Sequence, residues 1–242
     1  MAVKHFILAP VLIALALVTN AEPAASPSET ESGPLKIGII GTGRIGGALA
    51  RHWARAGHEV FMSSRHPEEL VGLAEELGPK AHAGTPREAA AFGDVVLVSV
   101  PYAAIPQIGR DYADELAGKI VLDTSNPIEG RDGEMAIAAR TKGAGLASAE
   151  FLRGTRLVRA FNCIPAALLA NEANREPERI AIPLGGDDSQ AIAMAERLVR
   201  EAGFDPVVVG SLEQSRLFDL GEPLASGDST AAEMRRAMAS ME

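Results

Sequence analysis

The stretch Leu35-Lys36-Ile37-Gly38-Ile39-Ile40-Gly41-Thr42-Gly43-Arg44-Ile45-Gly46 decides the fold. Its first half is a short β-branched run that ends directly in a glycine cluster. Its second half opens a segment with Ile45, Leu49 and Trp53 at helical spacing, so a buried strand turns sharply into a helix. The helix is expected from Ile45 to Ala56 and stops at Gly57, a residue suited to the C′ position. His58 to Met62 then forms a second strand, which completes a βαβ unit of about 30 residues, the size such a parallel crossover needs. In Gly-Thr-Gly-Arg-Ile-Gly the first glycine permits the tight turn and the second lets main chain approach a pyrophosphate. The third allows close packing of helix on strand, and the free N–H groups of the helix start hold the anion. Gly41, Thr42, Gly43, Arg44, Ile45 and Gly46 are therefore candidate dinucleotide-binding residues.

The residues that follow the second strand choose between the two nicotinamide dinucleotides. A carboxylate there accepts the ribose 2′-hydroxyl and repels a 2′-phosphate. This chain has Ser63-Ser64-Arg65 instead: two hydroxyls able to donate and a guanidinium able to pair with a phosphate dianion. NADP(H) is the expected cofactor.

Outward from this unit the strand–helix alternation continues. Helices are expected from Pro67 to Leu77, after Thr85-Pro86, and from Ala103 to Leu116, with a fully apolar strand Val95 to Val100 ending at Pro101. Ile120 to Leu122 is a strand whose carboxyl end opens into the polar loop Asp123-Thr124-Ser125-Asn126-Pro127, where ligands of such sheets sit. Further strands are expected at Leu157–Phe161, Ile180–Leu184 and Pro206–Val209, and helices at Ala166–Ala170 and Ser189–Ala202. The fold class is α/β, a Rossmann-type doubly wound parallel sheet with a small C-terminal α/β extension, over residues 35–224. Residues 225–242 form a tail helix capped by Thr230, with Glu233 in the capping-box position.

The ends and the composition limit what the domain meets. Lys4 and His5 precede an apolar run from Phe6 to Val18 and the small-residue site Thr19-Asn20-Ala21, the pattern of a secretory signal peptide over residues 1–21. The run falls short of the roughly 20 residues of a membrane span. Residues 22–34, rich in Pro, Ser and Glu, read as a disordered linker. Export to the periplasm or beyond is the expectation, but no twin arginine precedes Phe6, so the chain would arrive unfolded where NADPH is scarce. Three readings stay open: cofactor is acquired outside, the N-terminal segment stays attached as the sole membrane anchor, or the functional reading fails; a non-functional N-terminal segment would leave the protein cytoplasmic. The formal charge of -9, from 23 Lys plus Arg against 32 Asp plus Glu, argues against nucleic acid as partner. The single cysteine, Cys163, excludes an internal disulfide, and no Cys/His cluster has zinc-like spacing.

With these residues read, the chain resembles the NADPH-dependent reductases typified by the NADP oxidoreductase of the deazaflavin coenzyme. The cytosolic domain of six-transmembrane metalloreductases and the N-terminal domains of pyrroline-5-carboxylate reductases are related to them. The stretches that carry the likeness are IGIIGTGRIGGALA, HEVFMSSR, VLVSVPY, LDTSNPI, RAFNCIPAALLAN and LGGDD, with a final Ser215-Arg216-Leu217. The resemblance implies that Thr42, Gly43, Arg44 and Ile45 wrap the pyrophosphate and that Ser64 and Arg65 hold the 2′-phosphate. It places Val100 and Pro101 at the nicotinamide ribose and Asn162 and Pro165 beside the nicotinamide. It also implies association through an apolar face, as a homodimer. Near Arg216–Pro223 the sequence departs from deazaflavin-reducing members, in a region that shapes their second-substrate face, which leaves the acceptor open.

Carbonyl reduction by hydride wants an acid for the developing alkoxide. No Tyr-x-x-x-Lys pair exists, and His52, His58, His66 and His82 all lie in the cofactor half. A deazaflavin or flavin acceptor needs chiefly stacking and orientation, because its ring carries the hard chemistry. Cys163, beside Ile164-Pro165, reads as a small buried hydrophobe rather than a nucleophile. The leading expectation is hydride transfer between NADPH and a deazaflavin or flavin-like acceptor, a small-molecule partner. The alternatives are a non-enzymatic NADP(H)-binding redox sensor and an imine or carbonyl reductase. The second of these lacks here the large helical domain that builds its substrate pocket.

Overall fold

The structure, a computed structural model, describes Met1 and residues 33–241. The expected signal peptide and nearly all of the linker lie outside the described residues. The chain divides into Met1–Gly33 and Pro34–Glu242, and the second unit carries every helix and strand among the described residues. Among those residues no helix is long and apolar enough to cross a membrane.

The elements run β1 (Lys36–Ile40), α1 (Arg44–Arg55), β2 (Glu59–Ser63), α2 (Val71–Leu77), β3 (Ala81–Gly84), α3 (Pro86–Phe92), β4 (Val95–Val98), α4 (Ile105–Asp111), α5 (Ala113–Leu116) and β5 (Ile120–Asp123). Next come α6 (Glu129–Asp132), α7 (Glu134–Lys142), α8 (Ala144–Phe151), β6 (Arg156–Arg159), α9 (Ala166–Asn171), β7 (Ala181–Gly186), α10 (Ser189–Glu201), β8 (Asp205–Gly210) and α11 (Ala231–Ala239). The eight strands form one sheet in the order β3-β2-β1-β4-β5-β6-β7-β8. The Rossmann-type core is as expected. Alternate side chains point to opposite faces. Ile37, Ile39, Leu97, Leu122 and Val158 meet Leu49 and Trp53 of α1 and Leu198 of α10. Val96, Val98, Val121 and Leu157 meet Tyr102, Ile105 and Ala147 on the other side. Trp53 is fully buried and its indole Nε1 donates to Leu198 O at 2.9 Å. Such burial stabilises by about 1.5–3 kcal/mol per large apolar side chain.

The C-terminal extension departs from an all-parallel sheet. β1 to β6 run parallel, but β6 and β7 pair antiparallel through Val158↔Gly186 and Arg159↔Gly185, and β8 pairs parallel with β7. Between β6 and β7 the six-residue α9 packs against α1, where a His52 ring nitrogen meets Leu169 O at 2.7 Å, and does not run back along the sheet. The chain therefore re-enters the sheet from the carboxyl edge of β6. β7, α10 and β8 form an inverted βαβ unit on the same continuous sheet. The tail helix closes the free face of this unit: Thr230 and Glu233 form the expected capping box, Ala181 N donates to Ser229 O at 2.7 Å, and Met234 is buried with Ala181, Val207, Val209, Phe218 and Leu224.

Three local differences trace to particular residues. The expected helix from Ala103 to Leu116 is divided at Tyr112, whose ring lies 5.3 Å from the Arg87 guanidinium. The expected helix from Pro67 starts as a 3-10 turn over Pro67–Leu70 before α2. The strand β3 and the helices α6 to α8 were not expected. β3, with sequence AHAG, has no β-branched residue. Gly133 and Gly143, at φ 63 and 97, divide α6, α7 and α8 and hide their periodicity.

Candidate cofactor cleft and its buried ion triad

The strand order puts the carboxyl ends of β2, β1, β4, β5 and β6 side by side. Between β1 and β4 the chain switches from one side of the sheet to the other, the position at which open α/β sheets bind ligands. The loop 41–46 leaves β1 there. Gly41 has φ +96, and a Cβ on it would lie 2.3 Å from Ser99 O and 2.7 Å from Val100 Cγ1, so only glycine lets the turn pass β4. A Cβ on Gly46 would lie 2.3 Å from Gly41 O, which holds the start of α1 tightly against the turn. Gly43 has open space where a Cβ would be.

The loop has donors to spare. Gly43 caps α1 with no side-chain hydrogen bond, the first turn carries no acidic residue, and the first internal bond is Gly47 N to Gly43 O. The N–H groups of Arg44, Ile45 and Gly46 thus have no partner within the helix. Thr42 Oγ1 is buried without a hydrogen-bond partner. Arg44 is exposed, and Gly43, Arg44, Gly47, Arg51 and Arg55 line a groove that continues along α1. An uncapped helix start, an orphaned hydroxyl and basic side chains fit a pyrophosphate.

The last residue of β2 and the two that follow it do different things. Ser63 corrects the expectation of a phosphate contact: it is fully buried, its Oγ donates to Ile39 O at 2.7 Å, and its carbonyl accepts from Gly41 N and Thr42 N at 3.2 and 2.9 Å. Its hydroxyl is spent inside the sheet, and it shapes the glycine loop instead. Ser64 Oγ accepts from His66 N at 2.9 Å and keeps its own hydrogen to donate. Arg65 is exposed and makes no hydrogen bond or ion pair with the described residues. Val100 packs against Gly41, and exposed Pro101 caps the 3-10 turn Tyr102–Ala104.

At the other end of the edge two asparagines meet. Asn126 Nδ2 donates to Asn162 O at 2.6 Å, and Asn162 Nδ2 donates to Phe218 O at 2.9 Å. Because a carbonyl only accepts, the second bond fixes the Asn162 amide with its nitrogen toward Phe218. Its Oδ1 is buried without a partner. Phe161, just before, holds φ 57, a conformation that costs a bulky residue about 1–3 kcal/mol and collects at functional sites. Pro165 is exposed close by, and the loop at Gly227 lies against it and Cys163 O.

Beneath the asparagines lies a group that sequence reading missed. Arg159, fully buried at the end of β6, donates through Nη1 to Asp123 Oδ2 at 3.0 Å and Ser125 O at 2.6 Å, and through Nη2 to Asp219 Oδ1 at 3.2 Å. Burial works against its charge, but Asp123 and Asp219 outweigh it, so its pKa is raised. Asp123 Oδ1 accepts from Ser125 N and Oγ, and Asp219 Oδ2 accepts from Ala144 N at 3.0 Å. Nearby, burial opposes the Asp132 carboxylate, but Arg131 and the N–H groups of Ile128 and Ala103 hold its pKa below the usual range. Arg131 also donates to Asn126 O at 2.8 Å. The available signal was a charged residue inside an apolar strand, since a buried arginine requires carboxylate partners.

Tyr102, Cys163 and His52 are not available for acid–base work. Burial pushes the Tyr102 hydroxyl up to about 12, and it donates to Ala144 O at 3.1 Å. Burial also pushes the Cys163 thiol up to about 12, in agreement with its reading as a small hydrophobe. His52 is lowered by burial and bonded to Leu169 O at 2.7 Å. Among the described residues no group of His, Cys, Asp and Glu has the arrangement of a metal site.

Comparison with known proteins places this geometry. The family described as NADP oxidoreductase, coenzyme F420-dependent, matches residues 36–127. The F420-dependent NADP reductase of Methanothermobacter thermautotrophicus is 31% identical over 204 residues, 78% of this chain and 87% of that protein. Metalloreductase STEAP3 of Rattus norvegicus is 32% identical over 187 residues, 75% of this chain, but the match spans only 35% of that protein's length. A solved structure of a hypothetical protein from Sinorhizobium meliloti superposes with TM-score 0.70 at 30% identity, over 83% of this chain and 97% of the other.

Proposed function

The chain belongs to the family of F420-dependent NADP oxidoreductases, and from that premise we propose that it passes hydride between NADPH and a deazaflavin or flavin-like ring. It is an NADP-dependent oxidoreductase. The observation that carries the choice of dinucleotide is the end of β2, where Ser64 and exposed Arg65, unpaired among the described residues, stand in place of a carboxylate. The loop Gly41 to Gly46 cradles the pyrophosphate through the free N–H groups of Arg44, Ile45 and Gly46. Val100 and Pro101 border the nicotinamide ribose, and Asn162 and Pro165 border the nicotinamide. The dinucleotide supplies the hydride when bound. The protein holds it and its acceptor in line, and no side chain is called on as acid, which suits an acceptor whose own ring takes up the charge.

The test is anaerobic absorbance of NADPH mixed with the purified chain and oxidised deazaflavin, flavin or ferric chelate, with NADH as control. NADPH-selective oxidation by a deazaflavin or flavin supports the reading. Tight dinucleotide binding without oxidation of any acceptor removes it. The same reading takes the chain as exported, cleaved after its N-terminal segment or anchored by it, and as a homodimer. Sequencing the mature N-terminus and light scattering test these two points.

A further inference from the structure

We infer that the Asp123–Arg159–Asp219 triad is a fixed negative charge that sets which redox state of the dinucleotide the cleft prefers, with Asp219 as the positioning residue that brings the C-terminal segment into it. The inference rests on the cofactor reading above. Two carboxylates share one guanidinium, and all four carboxylate oxygens accept from donors: Ser125 N and Oγ, the two Arg159 nitrogens and Ala144 N. That is the bonding of two ionised carboxylates, and it leaves a formal charge of minus one. The side chains of Arg159 and Asp123 are 0% exposed and that of Asp219 is 13% exposed, so water screens this surplus weakly. The neighbouring Arg131–Asp132 pair is balanced and does not cancel it.

The triad is one residue removed from each asparagine contact. Arg159 holds Ser125 O, next to Asn126; Asp219 follows Phe218, whose carbonyl holds the Asn162 amide. A nicotinamide ring is cationic when oxidised and neutral when reduced. A surplus negative charge at this edge therefore stabilises the oxidised form and eases departure of hydride toward the acceptor. Asp219 alone contributes its charge from outside the strand edge, since it comes from the segment after β8. A merely structural latch would alter affinity for both redox forms alike.

The experiment measures Kd for NADP+ and for NADPH on the full chain and on Asp219→Asn, Asp219→Glu and Asp123→Asn, with circular dichroism to establish folding. Asp219→Asn leaves Arg159 paired with Asp123. It is expected to raise the ratio Kd(NADP+)/Kd(NADPH) by about fivefold to tenfold, the scale of one unit charge acting through a partly solvated interior. Asp219→Glu keeps the ratio, and Asp123→Asn shifts it in the same direction. A shift in folded Asp219→Asn, or in Asp123→Asn should the former not fold, bears the inference out. An unchanged ratio in a folded variant, or failure of both to fold, assigns the triad to stability alone and overturns it. Failure of the unmodified chain to bind either nucleotide would instead strike the cofactor reading.

Discussion

Replacing Arg65 by alanine tests the cofactor choice where it is made. Arg65 is exposed and has no partner among the described residues, so its removal breaks nothing within the protein. Stability should stay within about 0.5 kcal/mol, the usual range for such surface changes. What is lost is charge-assisted hydrogen bonding to a 2′-phosphate, about 1.5–3 kcal/mol net, or roughly 10- to 150-fold in Kd. NADH has no such phosphate, so its affinity should change by less than about twofold. The loss should shrink at high salt, because the contact is open to solvent. Fluorescence titration of both dinucleotides at low and at high ionic strength measures all of this. Unchanged NADPH affinity, or an equal loss for NADH, would refute the assignment of Arg65 to the 2′-phosphate.

Three other contacts each carry an expected outcome. Gly46→Ala places a Cβ 2.3 Å from Gly41 O, so the turn must open; calorimetry should show a loss of about 1–3 kcal/mol together with weaker binding of NADPH and NADH alike. Thr230→Ala removes the α11 capping box and should cost about 1 kcal/mol, read as faster amide exchange in α11 with β1 to β5 unaffected. Asp188, held at about 2 chiefly by its hydrogen bond to Arg156, contributes stability that is full above its unfolded pKa and is lost as pH falls through about 2. The melting temperatures of the native chain and of Asp188→Asn should therefore differ at pH 6 and converge in strong acid; a gap that persists there would refute the linkage.

The first βαβ unit was legible because local signals agreed: an apolar strand, a glycine turn and a helix with one apolar stripe. The tail helix was legible from Thr230 and Glu233 alone. The reversal at β7 was not, because strand direction depends on where α9 packs, which does not alter the alternation of the strands themselves. Ser63 looked like Ser64 in sequence; only the pleat, which turns the first inward and leaves the second at the strand end, separates a loop support from a candidate phosphate ligand. The triad was invisible for a similar reason. Asp123 and Arg159 come from neighbouring strands, but Asp219 lies 60 residues beyond Arg159, and such pairing leaves no local pattern. Phe161 carries a strained backbone that no side-chain preference announces.

The junction between β6 and β7 rests on two register pairs, whereas β1 and β2 share five. A joint so narrow in the ladder leaves the last quarter of the chain held to the rest largely by side chains. A chimera that took β7, α10, β8 and α11 from a relative would have to restore those two ladder pairs, the seat of Trp53 and the shared core on α10, the contacts of Arg156 with Asp188 and of His58 with Glu201, and the bonds from Asn162, Ala144 and Arg159 to Phe218 and Asp219. Any exchange at this seam must carry those side-chain partners with it, so the two ends of the sheet vary together rather than apart.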